Sequence, residues 1–393
     1  MSSEAPLGAW PKRGIGVYDD TPGSPPLALQ LTTALRLLGP AGWLVLFLQP
    51  ALPGPAPLDT FVAKLRAAYD KGFRVVVRVG WKGAMRDYCD AQSNSTRYTH
   101  VAAQLAALVT ALPLPPVQQR PLLVHVGNEL NACNEWRCTT PRGAVYDVAT
   151  RAREVGGFMQ DTFAQLSELE AARNGSMWLA HASIANWMPA GCECGTNRFV
   201  GPGSPGTKFL AAMLNERPAL YTRARWLSSH SYPYSNSNYS SEPTSKAYRG
   251  LTYYRAERAA LNAPAASLPA VLTETGWARN SVNNRVSEKD QAAWMARAAK
   301  ELWAPDASVL AVAPFLLAGR FWEATGHNFV DCPSANSTAA PCDAPLREWP
   351  VFRAWAAAGM AAGSSDHADA NASREAEPAE PHRLVPFFRQ SED

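Results

Sequence analysis

The chain has 393 residues, 47 % of them hydrophobic, which is enough to bury one large core such as that of an α/β barrel. Its formal net charge of +3 is small for this length, and no run of about five like charges occurs, so the sequence indicates neither a nucleic acid nor an anionic membrane as a partner. No apolar stretch is long enough to cross a bilayer.

Short apolar runs alternate with longer stretches of helical composition along the chain. Most runs are continuously apolar, as parallel strands covered on both faces are. Strands that alternate with helices predict a parallel sheet, and eight such units predict an α/β fold closed into a (β/α)8 TIM barrel. A doubly wound open sheet is the alternative, but no glycine-rich phosphate loop follows the first run, as a nucleotide-binding version would require. In chain order the runs are Ile15 to Tyr18, Trp43 to Leu48, Phe73 to Val79, Leu122 to Val126, Met177 to Ile184, Trp226 to Ser229, Ala270 to Thr273, and Val309 to Leu317.

The helical stretches between the runs have recognisable ends. The stretch from Asp59 to Lys71 is predicted to have Asp59 as its N-cap and Gly72 just past its end. Ser287 is predicted to cap another helix. A long stretch from Ala144 to Ala172 is helical in composition, and a break is predicted near Gly156-Gly157.

Composition divides the chain into three parts. Residues 1–12 are predicted to be an N-terminal extension, without the basic and apolar regions of a signal peptide. Residues 13–360 hold all eight runs and are predicted to form the catalytic barrel. Residues 361–393 are rich in Ser, Asp, Ala, Glu and Pro, which predicts a disordered C-terminal tail.

Two features nevertheless favour the secretory pathway or the extracellular space. Among the seven cysteines, Cys133 with Cys138 and Cys332 with Cys342 have spacings that favour disulfide staples over a zinc site. Five Asn-X-Ser/Thr sequons in predicted loops and in the tail indicate a glycoprotein. The sequons begin at Asn94, Asn174, Asn238, Asn336 and Asn371. The sequence leaves the conflict between these features and the missing leader open.

Candidates for a functional site follow the ends of the runs, because active sites of such barrels lie at the C-terminal ends of the strands. Two are glutamates, Glu129 after the fourth run and Glu274 at the seventh. The polar and aromatic residues at these ends are predicted to bind substrate, since aromatic faces pack against the apolar faces of sugar rings. These residues are Tyr18, Trp81, Asn128, Asn186, His230, Tyr232, Trp277 and Trp322.

Paired carboxyl groups are what cleavage of a glycosidic bond with retention requires. One group protonates the leaving oxygen, and the other attacks the anomeric carbon. A barrel can bring Glu129 and Glu274 to within about 5 Å across its mouth, which is the separation found in retaining enzymes. The negative charge of one is expected to raise the pKa of the other. Neither a metal nor an organic cofactor is required, because carboxyl groups carry both steps.

Two motifs resemble those of the clan A glycoside hydrolases, which carry an acid/base after Asn on the fourth strand and a nucleophile on the seventh. The matching segments are Gly127-Asn128-Glu129 and Leu272-Thr273-Glu274-Thr275-Gly276-Trp277. The second is similar to the Ser/Thr-Glu-Ser/Thr-Gly-Trp signature of the plant and fungal endo-1,3-β-glucanases, and His230-Ser-Tyr-Pro-Tyr234 is similar to their Tyr-Pro-Tyr segment. The β-1,4-galactanases are a second candidate relative. The resemblance implies that Glu129 is the acid/base and Glu274 the nucleophile.

The resemblance also implies roles for two neighbouring residues. Asn128 would form a hydrogen bond with the sugar 2-hydroxyl group, and Tyr232 would orient or polarise Glu274. Two structural alternatives remain open: Asn128 as a cap at the strand end, and Tyr232-Pro233 as a rigid turn.

The chain also departs from the glucanase pattern. The segment Leu130 to Cys138 has no counterpart there, and Phe321-Trp322-Glu323 replaces an acidic run after the eighth strand. Within the inserted segment, Glu135 is expected to be solvated and Trp136 to lie on the rim. Arg78 is a candidate for the deep end of the site.

The leading hypothesis is therefore a retaining β-glycoside hydrolase acting on a β-linked polysaccharide or glycan. A transglycosylase would use the same glutamates, with a second sugar in place of water. A non-catalytic carbohydrate-binding barrel is a further alternative. A metal-dependent hydrolase is disfavoured, because the strand ends supply few histidines beside carboxylates. The sequence does not define the sugar, the linkage or the oligomeric state.

Overall fold

The computed structural model describes residues 12–17, 24–48, 56–80, 107, 109–116, 121–132, 135–136, 147–185, 205–233, 250–262, 265–279, 286–318, 326–332 and 346–358. Each predicted run overlaps one strand of the barrel. These strands are β1 (Gly14–Val17), β2 (Trp43–Leu48), β3 (Arg74–Val79), β4 (Leu122–Val126), β5 (Met177–His181), β6 (Leu227–His230), β7 (Ala270–Glu274) and β8 (Val309–Val312).

Helices lie between the strands, and a short hairpin and a last helix follow them. The described α-helices are α1 (Leu27–Leu38), α2 (Ala56–Asp70), α3 (Val148–Ala172), α4 (Pro205–Glu216), α5 (Tyr253–Ala260), α6 (Glu288–Ala298) and α7 (Pro350–Ala357). A π-helical turn, Ala299–Trp303, continues α6, and the hairpin consists of β9 (Val330–Asp331) and β10 (Arg347–Glu348). None of the described helices is long and apolar enough to span a membrane.

The strands form the (β/α)8 barrel that the sequence predicts. Strands β1 to β5 pair in order in one parallel sheet, and β6 to β8 pair in another. Parallel bridges join the two sheets at both edges, between Ala185 and His230 and between Arg13 and Val312. At the second edge the Gly16 amide donates to the Pro314 carbonyl at 3.0 Å. A Cβ on Gly16 would lie 2.0 Å from the Phe315 carbonyl oxygen, so this close approach requires glycine.

Both faces of the barrel strands are buried, which explains why the runs are continuously apolar. In β2, Val45 and Phe47 belong to a cluster within the barrel, whereas Leu44 and Leu46 pack in the layer between the strands and the helices. Full burial of one such side chain contributes about 1.5–3 kcal/mol. A strand with two apolar faces is therefore strongly favoured at this position in the chain.

Two predicted helix boundaries, the N-cap of α2 and the break in the long helical stretch, differ from the structure. Helix α2 begins at Ala56, so Asp59 lies in its first turn and is not the N-cap. Proline is tolerated in a first turn, where its missing N–H has no helical partner, so Pro57 does not prevent the earlier start. At the other end Gly72 has a φ of 80°, as a glycine that terminates a helix does.

Helix α3 continues through Gly156-Gly157, so the predicted break is wrong. The side chain of Arg217 packs against both glycines, where added Cβ atoms would lie 3.2 and 3.1 Å from it. The glycines therefore allow close packing and do not end the helix. The predicted cap of α6 is confirmed, because the Ser287 hydroxyl accepts from the Asp290 amide at 3.0 Å.

The chain closes the outer layer with α7, whose Trp355 donates from its indole N–H to the Gly14 carbonyl of β1 at 3.0 Å. Between β9 and α7, Cys332 is disulfide-bonded. Its predicted partner, Cys342, lies outside the described residues. The predicted C-terminal tail also lies outside them, as does the predicted N-terminal extension apart from its last residue, Lys12.

Candidate active site

Glu129 and Glu274 are positioned by the carboxyl ends of two strands. Glu274 is the last residue of β7. Glu129 follows β4 by three residues and comes after Gly127, whose φ of 96° turns the chain at the strand end. Glu129 itself has a φ of 42°, a left-handed conformation that is uncommon for a residue with a side chain. Both side chains are nearly buried, at 9 % and 6 % exposure.

The two carboxylates and an imidazole converge in one cluster. A carboxylate oxygen of Glu129, one of Glu274 and a ring nitrogen of His230 all lie within 4.8 Å of one another. This spacing matches the separation of about 5 Å at which one carboxylate can attack the anomeric carbon while the other protonates the leaving oxygen.

His230 lies between the two glutamates. Its Nδ1 is 2.9 Å from Glu129 Oε1 and 3.6 Å from Glu274 Oε2. A register shift after Ser229 aligns His230 with Glu274 across the β6–β7 pair. The ring is fully buried. His230 therefore contacts both carboxylates from a buried position, and its role in substrate binding stays a prediction.

Arg78 and Tyr232 both donate to Glu274. The Arg78 guanidinium, on β3, is hydrogen-bonded to Glu274 Oε1, and the Tyr232 hydroxyl donates to Glu274 Oε2 at 2.8 Å. The tyrosine contact is the arrangement that the motif resemblance implies. Arg78 also stacks over the ring of Phe47, 4.0 Å from its centroid, deep in the barrel.

These neighbours keep Glu274 ionised in a buried site. Burial alone would raise its pKa, but the charges of His230 and Arg78 and the hydrogen bonds from Arg78 and Tyr232 outweigh that effect and lower it. A carboxylate that is to act as a nucleophile must be ionised when substrate binds. The surroundings of Glu274 meet that requirement.

The cluster of Glu129, His230 and Glu274 is also compact enough to hold a metal ion. However, both oxygens of Glu274 already accept hydrogen bonds, one from a buried guanidinium. A divalent cation would have to bind beside that positive charge. The donor set therefore fits an acid and nucleophile pair better than a metal site.

Asn128 and Glu135 form a second layer behind the pair. Asn128 Oδ1 accepts from Arg78 at 2.7 Å, and Asn128 Nδ2 donates to Glu135 Oε1 at 3.0 Å. Glu135 is only 3 % exposed, so the expectation that it is solvated is wrong. Burial raises its pKa to about 7; the nearby Glu129 and Glu274 add to the rise, while Asn128 and Arg78 oppose it.

Two tryptophans predicted at the rim are buried in the structure. Trp277 is 1 % exposed, and its ring packs against Trp294 with 6.0 Å between the ring centroids. Trp136 is fully buried, 5.3 Å from Phe158. Their predicted placement in open rim loops is therefore wrong, and the substrate-binding role of Trp277 stays a prediction. The remaining predicted ligands, which lie outside the described residues, are Tyr18, Trp81, Asn186 and Trp322.

Sequence reasoning therefore missed the part of the site formed by Glu135 and underrated Arg78. The available signal for Glu135 was its neighbour Trp136, a large apolar residue that is seldom left in water. Such a residue indicates that the inserted segment folds back onto the barrel. For Arg78, the signal was a second cation inside β3, where every other residue after Arg74 is valine.

No protein-family model matches the chain, and no curated protein matches it. Solved structures share its fold. A GH5_18 protein from Bifidobacterium longum subsp. infantis has a TM-score of 0.50 at 14 % identity, over 85 % of this chain and 72 % of that chain. A GH5_18 variant from Bifidobacterium longum subsp. longum, in complex with Manβ1-4GlcNAc, has a TM-score of 0.51 at 10 % identity, over 84 % and 71 %.

Both structures are GH5 glycoside hydrolases of clan A, the clan that the motifs resemble. At identities this low the likeness shows the fold alone. The finer resemblance to the endo-1,3-β-glucanases stays a prediction. The chain therefore shares the (β/α)8 fold of these structures.

Proposed function

We propose that this protein is a retaining β-glycoside hydrolase, with Glu129 as acid/base and Glu274 as nucleophile. The observation that carries the proposal is the approach of the two carboxylates to within 4.8 Å at the ends of β4 and β7. Their surroundings differ as their roles require. Glu274 faces a guanidinium and a tyrosine hydroxyl, whereas Glu129 has a ring nitrogen of His230 as its partner.

In the first step, Glu274 attacks the anomeric carbon while Glu129 gives its proton to the glycosidic oxygen, which leaves with the bond's electron pair. In the second step Glu129 takes a proton from water, whose oxygen attacks the same carbon and releases Glu274. Two inversions give net retention. A second sugar in place of water would make the reaction a transglycosylation.

The residues around the pair support these steps. Tyr232 and Arg78 hold Glu274 by its two oxygens, which fixes the carboxylate for attack. His230 contacts both carboxylates and can hold the two side chains at their working separation. The Asn128 side chain is partly exposed, so its amide nitrogen can donate to a sugar hydroxyl as well as to Glu135.

The proposed substrate is a β-linked polysaccharide or glycan, and the Thr-Glu-Thr-Gly-Trp segment makes a 1,3-β-glucan the first polymer to test. A secreted, glycosylated protein is consistent with two features of the chain. Cys332 is disulfide-bonded, which favours an oxidising compartment. The sequon residue Asn174 is exposed in the turn after α3, where a glycan would be tolerated.

The proposal predicts hydrolysis with retention. The full-length protein should release 2,4-dinitrophenol from at least one member of a panel of aryl β-glycosides, and proton NMR should show the β-anomer of the sugar first. Mutarotation to the α-anomer should follow only later.

An α-anomer formed first would contradict the double-displacement mechanism. Glycan binding without turnover, on both the aryl glycosides and a 1,3-β-glucan, would contradict hydrolysis and favour the carbohydrate-binding barrel. A heat-treated sample and the Glu274→Ala variant are the matched controls.

A further inference from the structure

A third carboxyl group, that of Glu135, lies behind the proposed catalytic pair and takes no part in either step. Its Oε1 accepts from Asn128 Nδ2 at 3.0 Å. Its Oε2 is buried and has no hydrogen-bond partner among the residues that the structure describes. Trp136, packed against Phe158, holds the segment in place. A buried carboxyl group that contributes nothing costs stability, so this position calls for a role.

Glu135 is the end of a chain of hydrogen bonds that reaches the nucleophile. Glu135 accepts from Asn128, Asn128 accepts from Arg78, and Arg78 donates to Glu274. A guanidinium can only donate, so the oxygen of the Asn128 amide must face Arg78. The amide nitrogen then faces Glu135, which supplies the acceptor. The orientation of the amide is thus fixed from both sides.

We propose that Glu135 is a positioning residue of the active site, which holds the Asn128 amide and, through it, the Arg78 guanidinium in place on Glu274. This inference rests on the proposed function. Without an acceptor at position 135, the amide would lose one of its two anchors, and Arg78 would lose a fixed acceptor beside the nucleophile.

The charged and titratable groups that face Glu135 are Arg78 on β3, Glu129 after β4 and Glu274 on β7. Burial, with the two carboxylates, raises the pKa of Glu135 to about 7. The unpartnered Oε2 agrees with a neutral acid, because an anionic oxygen without a donor would be costly. Below pH 7, Glu135 can therefore occupy the site without adding a further negative charge beside the nucleophile.

Coulombic coupling acts in both directions, so ionisation of Glu135 must favour retention of the catalytic proton in the site. In the wild type, the fall of kcat/KM at alkaline pH should therefore occur at a higher pH than in a variant in which residue 135 carries no negative charge. Glutamine keeps an oxygen that can accept from Asn128 but cannot ionise. Methionine keeps the approximate length of the side chain but cannot accept a strong hydrogen bond.

The test compares Glu135→Gln and Glu135→Met with the wild type over pH 4 to 9, with an aryl β-glycoside that the wild type hydrolyses. Glu135→Gln should retain kcat near pH 5 within about threefold, and its alkaline limb should shift down by up to about one pH unit. Glu135→Met should lose about tenfold or more in kcat at every pH, because one anchoring hydrogen bond is gone. KM should change less than kcat.

Glu170→Gln is the matched control, since Glu170 is a buried carboxyl group on α3 that accepts from the Leu179 amide at 3.2 Å, outside the site. Its pH profile should match that of the wild type. Thermal unfolding of all variants separates loss of fold from loss of positioning. A Glu135→Met variant that changes only in stability, with kcat and the alkaline limb unmoved, would show a purely structural role and overturn the inference.

Infrared difference spectra provide a readout that does not depend on turnover. At pH 5.5 the wild type should show a protonated carboxyl band that is missing in Glu135→Gln, and the band should fade by pH 8.5. Lack of such a band would show that Glu135 is ionised at pH 5.5; together with an unchanged kcat in Glu135→Met, it would overturn the inference even if hydrolysis is normal. An inactive wild type would instead refute the proposed function, so the two failures are distinguishable.

Discussion

Replacement of Glu274 with alanine should abolish hydrolysis, with kcat falling roughly 10⁶-fold, the scale on which loss of a covalent nucleophile acts in a hydrolase. Glu274 is the only carboxylate among the described residues that both Arg78 and Tyr232 contact. Loss of its side chain leaves no group to attack the anomeric carbon. The measurement is kcat on the best aryl β-glycoside of the panel.

Azide distinguishes loss of the nucleophile from loss of the fold. In Glu274→Ala, azide can enter the space that the carboxylate leaves, and it should restore turnover by giving the α-glycosyl azide after a single inversion. Glu274→Ala also leaves the buried Arg78 guanidinium without its anionic partner. The thermal unfolding midpoint of the variant should therefore fall, because an unpaired buried charge is destabilising. Wild-type turnover in Glu274→Ala would remove Glu274 from the mechanism.

Replacement of Glu129 with alanine should produce a different signature. The loss of acid catalysis should lower kcat about 10²- to 10⁴-fold for substrates with poor leaving groups. Dinitrophenyl glycosides need little protonation of the leaving oxygen, so their first step should be nearly unaffected. The glycosyl-enzyme should then accumulate, because no base activates the water.

In Glu129→Ala, azide should give the β-glycosyl azide, since it attacks the intermediate from the side of the missing carboxylate and the second inversion restores the configuration. Equal losses for good and poor leaving groups would contradict the role of Glu129 as the acid. Glu170→Ala serves as the control for loss of a buried carboxylate elsewhere in the barrel.

Much of the fold was predictable because it depends on local patterns. Strand β2, with Val45 directed to the barrel interior and Leu44 to the helices, is apolar at each position, as a parallel strand covered on both faces is. The positions of Glu129 and Glu274 followed from strand order, because the carboxyl ends of all strands meet at one rim.

The parts that sequence did not predict depend on contacts between distant segments. Glu135 is buried because Trp136 packs against Phe158 of α3, and no periodicity within the inserted segment shows that contact. Trp277 follows Gly276, whose φ of 115° turns the chain away from the rim, so the indole packs against Trp294 of α6. An aromatic residue at a strand end can either face the substrate or pack beneath a loop. Its position in the sequence alone does not show which of these it does.

The contact of Arg78 with Glu274 shows the same limit within the barrel. The two residues lie on strands β3 and β7, which do not pair, and they meet only because the sheet closes. A sequence pattern can place each at a strand end. It cannot give the angle or the depth at which their side chains meet across the interior.

The most direct test of the central claim is to trap the glycosyl-enzyme and identify the residue that carries the sugar. A 2-deoxy-2-fluoro glycoside with a dinitrophenyl leaving group destabilises the charge that develops in both transition states, while the good leaving group keeps the first step accessible. After incubation and proteolysis, mass spectrometry should find one sugar, attached to Glu274. A sugar attached to Glu129 would contradict the assignment of Glu274 as nucleophile and Glu129 as acid/base. Hydrolysis of the fluoro glycoside with no sugar attached to any glutamate would contradict it as well.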